Sequence, residues 1–421
     1  MSARPGPLRG VARARRMTVS PLLDSRYSWT RLAITLAIAT LGNAGFWAIV
    51  VVMPAVQAEF GVDRADASLP YTATMLGFAL GNLVIGRAVD RWGITVALIG
   101  ASLLIGLGTG LAAFSPGVGV LSLLQFLIGL GTAASFGPLI ADVSQWFARR
   151  RGIAVAIAAS GNYLAGAIWP LVLRGVLEAE GWRMAYIVLA VASVVIVAPM
   201  ALLLRRRVPP EAMAGPGRLP GGAVADAGLS TRALAWLLAA AGVGCCVAMA
   251  MPQVHIVALC VDLGFGPAVG AEMLAVMLVG GVVSRIAFGL LSDRLGGVMT
   301  LLIGSTLQAL ALFLYLPADG LVSLYVVSLI FGLAQGGIVP AYAVVVREYM
   351  PAQEAGRWVG FVLMATVLGM ALGGWMSGWI FDVTGSYQMA FLNGIAWNFV
   401  NIAILLLILV RSRRGGAPAV A

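Results

Sequence analysis

Twelve apolar runs, each long enough to cross a lipid bilayer, constrain this chain more than any other feature. A membrane-spanning helix needs about 20 predominantly apolar residues. Only 10% of the 421 residues are charged and 61% are hydrophobic, a balance that excludes an ordinary soluble domain. Because hydrocarbon offers no partner to exposed backbone groups, we predict an all-α membrane protein with twelve transmembrane helices. The runs fall near 32–54, 67–87, 94–114, 117–141, 152–174, 184–204, 233–258, 268–290, 298–316, 321–345, 357–380 and 387–410.

The pattern G-x-x-x-D-R-x-G occurs twice, at residues 86–93 and 289–296, and each copy follows the second apolar run of its half. A repeat at this distance predicts two parallel six-helix bundles, with ligand sites at the seam between them. Residues between the halves are rich in Arg, Gly and Pro, as expected of a linker. The predicted segments are an N-terminal tail (1–31), a first bundle (32–204), a linker (205–232), a second bundle (233–410) and a C-terminal tail (411–421).

The basic residues are distributed very unevenly across this topology. All 27 of them are arginines, and all but four lie on the side of the linker and the tails. Arg64, Arg174 and Arg183 lie on the other side, and Arg285 lies within a span. By the positive-inside rule we expect both termini to be cytoplasmic, in a multi-pass protein of a cell inner membrane. The net charge of +10 is therefore a topology signal, and we expect a lipid bilayer and no nucleic acid as partner.

Nothing in the sequence predicts an enzyme. There is no phosphate-binding G-x-x-x-x-G-K, one histidine is too few for a histidine-rich metal site, and Cys245, Cys246 and Cys260 lack metal-ligand spacing. We predict no catalytic residues, no cofactor and no metal, and we expect a monomer.

The repeated motif, the twelve runs and the central linker resemble the major facilitator superfamily over essentially the whole chain. Three stretches are similar to its monocarboxylate porter branch, which includes oxalate/formate-type carriers. They are residues 54–61 with Arg64 and Ser68, residues 146–154 continuing to Ser160, and Ser284–Gly289, where an arginine stands four residues before the glycine. This resemblance implies a secondary active transporter of a small organic anion, above all a monocarboxylate, with proton symport as an extension.

The chain also departs from that branch. Eukaryotic members carry an acidic residue four positions before the arginine, where this chain has Gly281, and this chain has no lysine at all. The proton relay of the family therefore cannot be carried over intact.

Arg285 is the leading candidate for binding substrate. A charge at the centre of a membrane helix costs at least ~2.5 kcal/mol, and no acidic residue lies one turn away in the same helix. A guanidinium facing a cavity can bind a carboxylate through two parallel hydrogen bonds. The alternatives are a structural ion pair with Asp142 and snorkelling toward the cytoplasmic face.

His255 is the second candidate, as a carboxylate ligand or the carrier of a coupled proton. It follows Pro252, which is expected to kink its helix. It lies near the outer end of its span, whereas Arg285 lies toward the inner half of the next, so whether they share one site stays open. The alternative is an interfacial polar residue.

Further polar and aromatic residues fall on helices that line the path in the resembled fold or flank it. These candidates are Asn43, Trp47, Gln335 and Tyr71, with packing between helices as the alternative for each. The motif residues Asp90, Arg91, Asp293 and Arg294 are expected to gate the cytoplasmic side. A second interpretation of the whole chain is an exporter of hydrophobic or drug-like compounds, favoured by an apolar path that would include Trp47, Phe136 and Trp169.

Overall fold

The computed structural model describes residues 23–147, 149–206, 229–351 and 354–415, and these residues form helices joined by short turns, without a strand. Most of the predicted linker and tails, including residues 1–22, 207–228 and 416–421, lies outside the described residues. The division of the chain into its predicted segments is therefore not tested at those boundaries.

Twelve helices of the described ranges are long and apolar enough to cross a membrane, which confirms the predicted fold class. Most of them extend beyond the apolar runs because polar residues continue the first or last turn. We number the spans α1 Arg26–Phe60, α2 Arg64–Trp92, α3 Ile94–Ala112, α4 Val118–Gln145, α5 Arg151–Val172, α6 Arg174–Leu203, α7 Thr231–Asp262, α8 Pro267–Leu295, α9 Gly297–Tyr315, α10 Leu321–Tyr349, α11 Ala355–Thr384 and α12 Tyr387–Ser412.

The repeat is visible in how corresponding helices begin and end. Ser25 and Ser230 cap the first helix of each half, their hydroxyls accepting from the backbone amides of residues 28 and 233. The last glycine of each motif copy ends its helix, Gly93 with φ 86° and Gly296 with φ 78°. Since side chains other than glycine rarely adopt such φ values, the final glycine of G-x-x-x-D-R-x-G is a helix stop.

Several spans are interrupted within the membrane. Asn43 interrupts α1, a 3₁₀ turn at Ala133–Ser135 interrupts α4, and Gly336 and Gly337 interrupt α10. Gly181, with φ 79°, interrupts α6 near its start. Backbone groups freed at such breaks need partners. The Gly336 carbonyl at the break in α10 is one such group, and it accepts a hydrogen bond from Arg285.

The two halves meet mainly along two helix crossings, α2 with α11 and α5 with α8. Glycine allows the first: a Cβ on Gly378 would lie 2.8 Å from the carbonyl oxygen of Arg64, and one on Gly374 would lie 2.9 Å from the Tyr71 ring. These two glycines stand one turn apart in α11, so they form a small-residue face that lets the backbones approach closely.

Two terms describe position along the helices. The tail end is the end where α1 begins and α12 ends. The far end is the opposite one, where short turns at residues 61–63, 263–266 and 385–386 join consecutive helices.

Candidate functional site: a buried arginine at the seam between the halves

Three arginines of the described residues are buried: Arg31, Arg64 and Arg285. Arg31 forms a bidentate ion pair with Asp142, with Nε–Oδ2 and Nη2–Oδ1 distances of 2.8 Å, and donates to the Leu204 carbonyl at 2.9 Å. This pair joins helices of the first half. The alternative partner for Arg285, Asp142, is therefore wrong: its carboxylate is already bound to another guanidinium.

Arg285 lies on α8 and spans the seam between the halves. Its Nη1 donates to the Ala159 carbonyl of α5 at 2.6 Å, and its Nε donates to the Gly336 carbonyl at the break in α10 at 3.2 Å. Its Cζ lies 4.3 Å from the centre of the Tyr163 ring, within the range of a cation–π contact. No described carboxylate lies within 4.0 Å of its nitrogens. Carbonyl dipoles and a ring face hold the guanidinium, and none of them neutralises its charge.

The structure gives a reason for Gly281. A Cβ at this position would lie 2.8 Å and 2.9 Å from two ring carbons of Tyr163. That ring therefore occupies the space into which an acidic side chain would project, and Arg285 lies over its face. The Tyr163 ring thus fills the space beside Gly281, and Arg285 has no carboxylate partner among the described residues.

Three buried polar groups in the same region have no hydrogen-bond partner among the described residues: the Gln335 Nε2, the Ser284 hydroxyl and the Tyr71 hydroxyl. Gln335 directly precedes Gly336, and Ser284 directly precedes Arg285. The Gln335 Oε1 accepts from Gln253 at 2.6 Å, which fixes the amide. Buried polar groups are rarely left unsatisfied, so these donors are suited to a ligand that brings acceptor atoms.

Asn43 and Trp47 are already bonded within the first half. The Asn43 amide donates to the Ala39 carbonyl at 2.7 Å and its Oδ1 accepts from Asn162 at 2.8 Å. The Trp47 indole donates to the Asn162 carbonyl at 2.8 Å. In this conformation both side chains hold the break in α1 against α5.

His255 does not share a partner with Arg285. Its Nε2 lies 2.7 Å from the Gly374 carbonyl oxygen, and its Nδ1 lies 3.0 Å from the Tyr387 hydroxyl. That hydroxyl accepts from Arg64 Nη1 at 2.6 Å. The histidine therefore belongs to a network at the far end, and Arg285 has a separate set of contacts deeper between the halves.

Ion pairs across the seam close the far end. Arg64 of α2 binds Asp262 of α7 through both terminal nitrogens, at 3.1 Å and 3.0 Å. The Asp382 carboxylate of α11 accepts from the backbone amides of residues 64 and 65 at 2.9 Å and 2.7 Å, which caps the start of α2. Arg174 of α6 binds Glu272 of α8 at 2.9 Å. The sequence alone did not indicate a role for these ion pairs. It did indicate that Arg64 and Arg174 lie on the side of the membrane opposite to most of the other arginines.

The four motif residues are exposed at the tail end. Asp90 and Arg91 lie in the last turn of α2, and Asp293 and Arg294 lie in the last turn of α8. They are thus part of the helices, which continue beyond the apolar runs that end near residues 87 and 290. None of the four forms an ion pair with a described residue in this conformation.

A cavity of about 400 Å³ lies near the far end, among α1, α5, α6, α7 and α8. Its wall is mostly apolar, with Val51, Pro170 and Ala271 among the lining residues, and Arg174 and Glu272 also line it.

The fold defines a membrane protein built of two six-helix halves that pack along a common seam. The model of the Major Facilitator Superfamily matches residues 32–317 and 236–420. The chain belongs to this superfamily, whose members are transporters and not enzymes.

Comparisons with curated proteins and solved structures agree with this assignment. The chain is 28% identical to monocarboxylate transporter 13 of Bos taurus over 327 residues, which cover 76% of this chain and 75% of that protein. It is 27% identical to monocarboxylate transporter 11 of Homo sapiens over 386 residues, covering 88% and 80%. It is 32% identical to a probable sulfoacetate transporter of Cupriavidus necator over 146 residues, or 34% of each chain.

Solved structures share the fold. A point mutant of the nucleoside transporter NupG matches with a TM-score of 0.68 at 14% identity, covering 90% of this chain and 99% of that chain. A bacterial homologue of the human lysosomal transporter Spinster, inward-facing and unoccupied, matches with a TM-score of 0.64 at 15% identity, covering 92% and 96%.

Proposed function

We propose that this protein is a secondary active transporter of a small organic anion, with monocarboxylates as the first class to test. Transport occurs by alternating access, in a cell inner membrane with the tail end in the cytoplasm. The observation that carries the proposal is the state of Arg285. Of the three buried arginines among the described residues, it is the one without a carboxylate within 4.0 Å.

The physical argument rests on charge balance. A buried charge without a counter-ion is strongly unfavourable, and a bound carboxylate supplies the counter-ion. The contacts with Ala159, Gly336 and the Tyr163 ring fix the plane of the guanidinium, which favours bidentate recognition of a planar anion. Anion binding therefore removes the electrostatic obstacle to an occluded state.

The unpartnered donors support an anionic ligand. The Gln335 amide, the Ser284 hydroxyl and the Tyr71 hydroxyl can each donate to an acceptor atom of the ligand. Movement of the halves during transport would bring them to the bound anion. The names of the similar proteins, monocarboxylate transporters and a probable sulfoacetate transporter, agree with an organic anion.

We assign the motif residues to the tail-end gate. In this conformation ion pairs hold the far end closed, while Asp90, Arg91, Asp293 and Arg294 are exposed and unpaired among the described residues. Charge pairs and helix-end dipoles involving these residues would close the tail end when the far end opens.

The decisive experiment is a binding screen with formate, acetate, lactate and oxalate, read as thermal stabilisation of the purified protein, followed by uptake of the best ligand into proteoliposomes. Arg285→Gln removes charge-assisted hydrogen bonds worth roughly 1.5–3 kcal/mol, so affinity is expected to fall by roughly 10- to 150-fold. Arg87→Gln is the matched control, because Arg87 is exposed at the tail end. Unchanged binding and uptake in Arg285→Gln would refute the proposal.

The cavity near the far end favours a second candidate function, an exporter of hydrophobic compounds. An apolar wall suits a greasy ligand, and the cavity touches helices of both halves. Susceptibility profiling of a deletion strain distinguishes the two: an exporter's loss sensitises cells to hydrophobic compounds, whereas loss of an anion carrier changes carboxylate uptake.

A further inference from the structure

We infer that His255 is a proton-binding site that controls closure of the far end and is separate from the anion site at Arg285. Proton binding at His255 opens the far end. The link to symport rests on the proposed function, but the gate itself can be tested without a transported substrate.

The hydrogen bonds of His255 have a defined direction. A carbonyl oxygen can only accept, so the Nε2 that lies 2.7 Å from the Gly374 oxygen carries a hydrogen. In the neutral ring Nδ1 is then an acceptor, and it receives the Tyr387 O–H at 3.0 Å. The oxygen of Tyr387 in turn accepts from Arg64 Nη1 at 2.6 Å. The neutral imidazole gives both of its ring nitrogens and the Tyr387 hydroxyl a hydrogen-bond partner.

This chain ends in the contacts that join the two halves. Arg64 begins α2 of the first half, and it binds Asp262 of α7 and Tyr387 of α12. Its Cζ also lies 4.6 Å from the centre of the Phe381 ring of α11. One buried arginine thus bonds the first half to three helices of the second, and Tyr387 joins it directly to His255.

Protonation breaks this arrangement. A second ring hydrogen turns Nδ1 into a donor, so the Tyr387 oxygen must accept from both His255 and Arg64, and its own O–H loses its acceptor. The new positive charge also lies near the Arg64 guanidinium, and like charges repel. A buried donor without a partner destabilises the closed state. Opening of the far end relieves both effects, so the proton favours the open conformation.

Most other charged and titratable groups around α7 have partners of their own; the Tyr71 hydroxyl has none among the described residues. On α7 itself, Asp262 binds Arg64 and Cys260 contacts the Met273 sulfur. Three carboxylates on other helices have partners: Asp382 of α11 caps α2, Glu272 of α8 binds Arg174, and Glu59 of α1 binds Arg183. Tyr342 of α10 binds Asn401. Tyr71 of α2 packs its ring on Gly374, the residue whose carbonyl accepts from His255.

The direction of coupling follows by linkage. A proton taken up at His255 opens the far end, and an open far end admits an anion to Arg285 from the same side. Reciprocity of the two equilibria then requires that the open state hold the proton more tightly than the closed state. Proton and anion enter together, as symport requires.

The test measures the gate directly. Spin labels on Ala179→Cys of the first half and Gln388→Cys of the second, both exposed, report the far-end separation by pulsed electron resonance. The native cysteines of the described chain are buried and can be replaced if they react. No carboxylate is added. One lost hydrogen bond corresponds to about a fivefold change in the open-to-closed ratio, so we expect a rise of about fivefold or more between about pH 8 and about pH 5.

Variants separate His255 from other titrating groups. His255→Gln, which stays neutral, is expected to abolish the pH response, and Tyr387→Phe to weaken it because no O–H is stranded. Arg64→Gln is expected to open the far end at both pH values. The inference is overturned if the unsubstituted gate ignores pH, or if His255→Gln, eluting as monodisperse protein, keeps the full response. Arg285→Gln should keep it, so failure of the anion site and failure of the proton site are distinguishable.

Discussion

Replacing Gly281 with aspartate tests whether the unpaired state of Arg285 is what makes the anion site. A carboxylate at residue 281 lies one helical turn before residue 285, in reach of an i,i+4 ion pair. Its Cβ would lie 2.8 Å from a Tyr163 ring carbon, so the ring must move and the guanidinium must leave its face. Gly281→Asp therefore supplies inside the protein the counter-ion that we assign to the substrate.

The expected magnitude follows from the contacts that an incoming anion must replace. Charge-assisted hydrogen bonds are worth roughly 1.5–3 kcal/mol, which corresponds to roughly 10- to 150-fold weaker anion binding. Gly281→Asn is the matched control, because asparagine has nearly the same shape and displaces Tyr163 equally but brings no charge. Part of the effect is steric and is common to both variants, so the difference between them reports the charge.

The assay is calorimetric titration of the best carboxylate from the binding screen into Gly281→Asp, Gly281→Asn and the unsubstituted protein. We expect binding by the aspartate variant to be at least about tenfold weaker than binding by the asparagine variant, a difference of about 1.4 kcal/mol. Equal affinities in the two variants would refute the reasoning, because Arg285 would then not depend on its missing counter-ion.

Three further predictions concern the halves and their closure. Arg31→Met leaves the partly buried Asp142 without its bidentate partner, so the free energy of unfolding should fall by about 3 kcal/mol, measured as a lower melting temperature in detergent. The double variant with Asp142→Leu should recover part of that loss. A single variant as stable as the original protein would contradict this prediction. Gly378→Leu should hold the far end open, since its Cβ would lie 2.8 Å from the backbone of α2. Gly360→Leu on the same helix is the control, because a Cβ there meets nothing within 4 Å. Equal far-end spin-label distances in the two variants would argue against the crossing of α2 and α11 as the hinge of closure. Arg174→Gln removes the ion pair with Glu272, whose side chains are 52% (Arg174) and 36% (Glu272) exposed, so the pair is worth under about 1 kcal/mol. The variant should therefore shift the far-end distance distribution only slightly, and less at high salt. Full opening would instead show that this surface pair is the main contact that closes the far end.

The two buried arginines at the seam differ in their partners. Arg64 is paired with Asp262 at the far end, whereas Arg285 has no carboxylate partner among the described residues. Opening the far end requires the first pair to separate, and loading the site requires the second arginine to gain a partner. We therefore propose that the same residue type serves as a gate in one place and as a binding site in another, according to whether an acidic residue stands beside it.

Sequence by itself determined the number of spans, the repeat and the side on which most arginines lie. These properties are local: each depends on the hydropathy of about 20 consecutive residues or on the spacing within one motif. The burial of Arg285 within its span is of this kind, and the structure has it where the pattern predicts it. The helix ends were less well predicted, because polar turns continue a helix beyond its apolar run.

Only the tertiary structure decided which charged residue meets which. Asp142 binds Arg31 and not Arg285, the Tyr163 ring fills the space beside Gly281, and His255 bonds to Gly374 and to Tyr387, far along the chain. Hydropathy indicates that a helix lies in the membrane. It does not indicate the direction in which each side chain points or the position along the helices at which neighbours cross. Those two variables are set by packing across the seam, and they determine whether a buried arginine is neutralised by its own protein or left for a ligand.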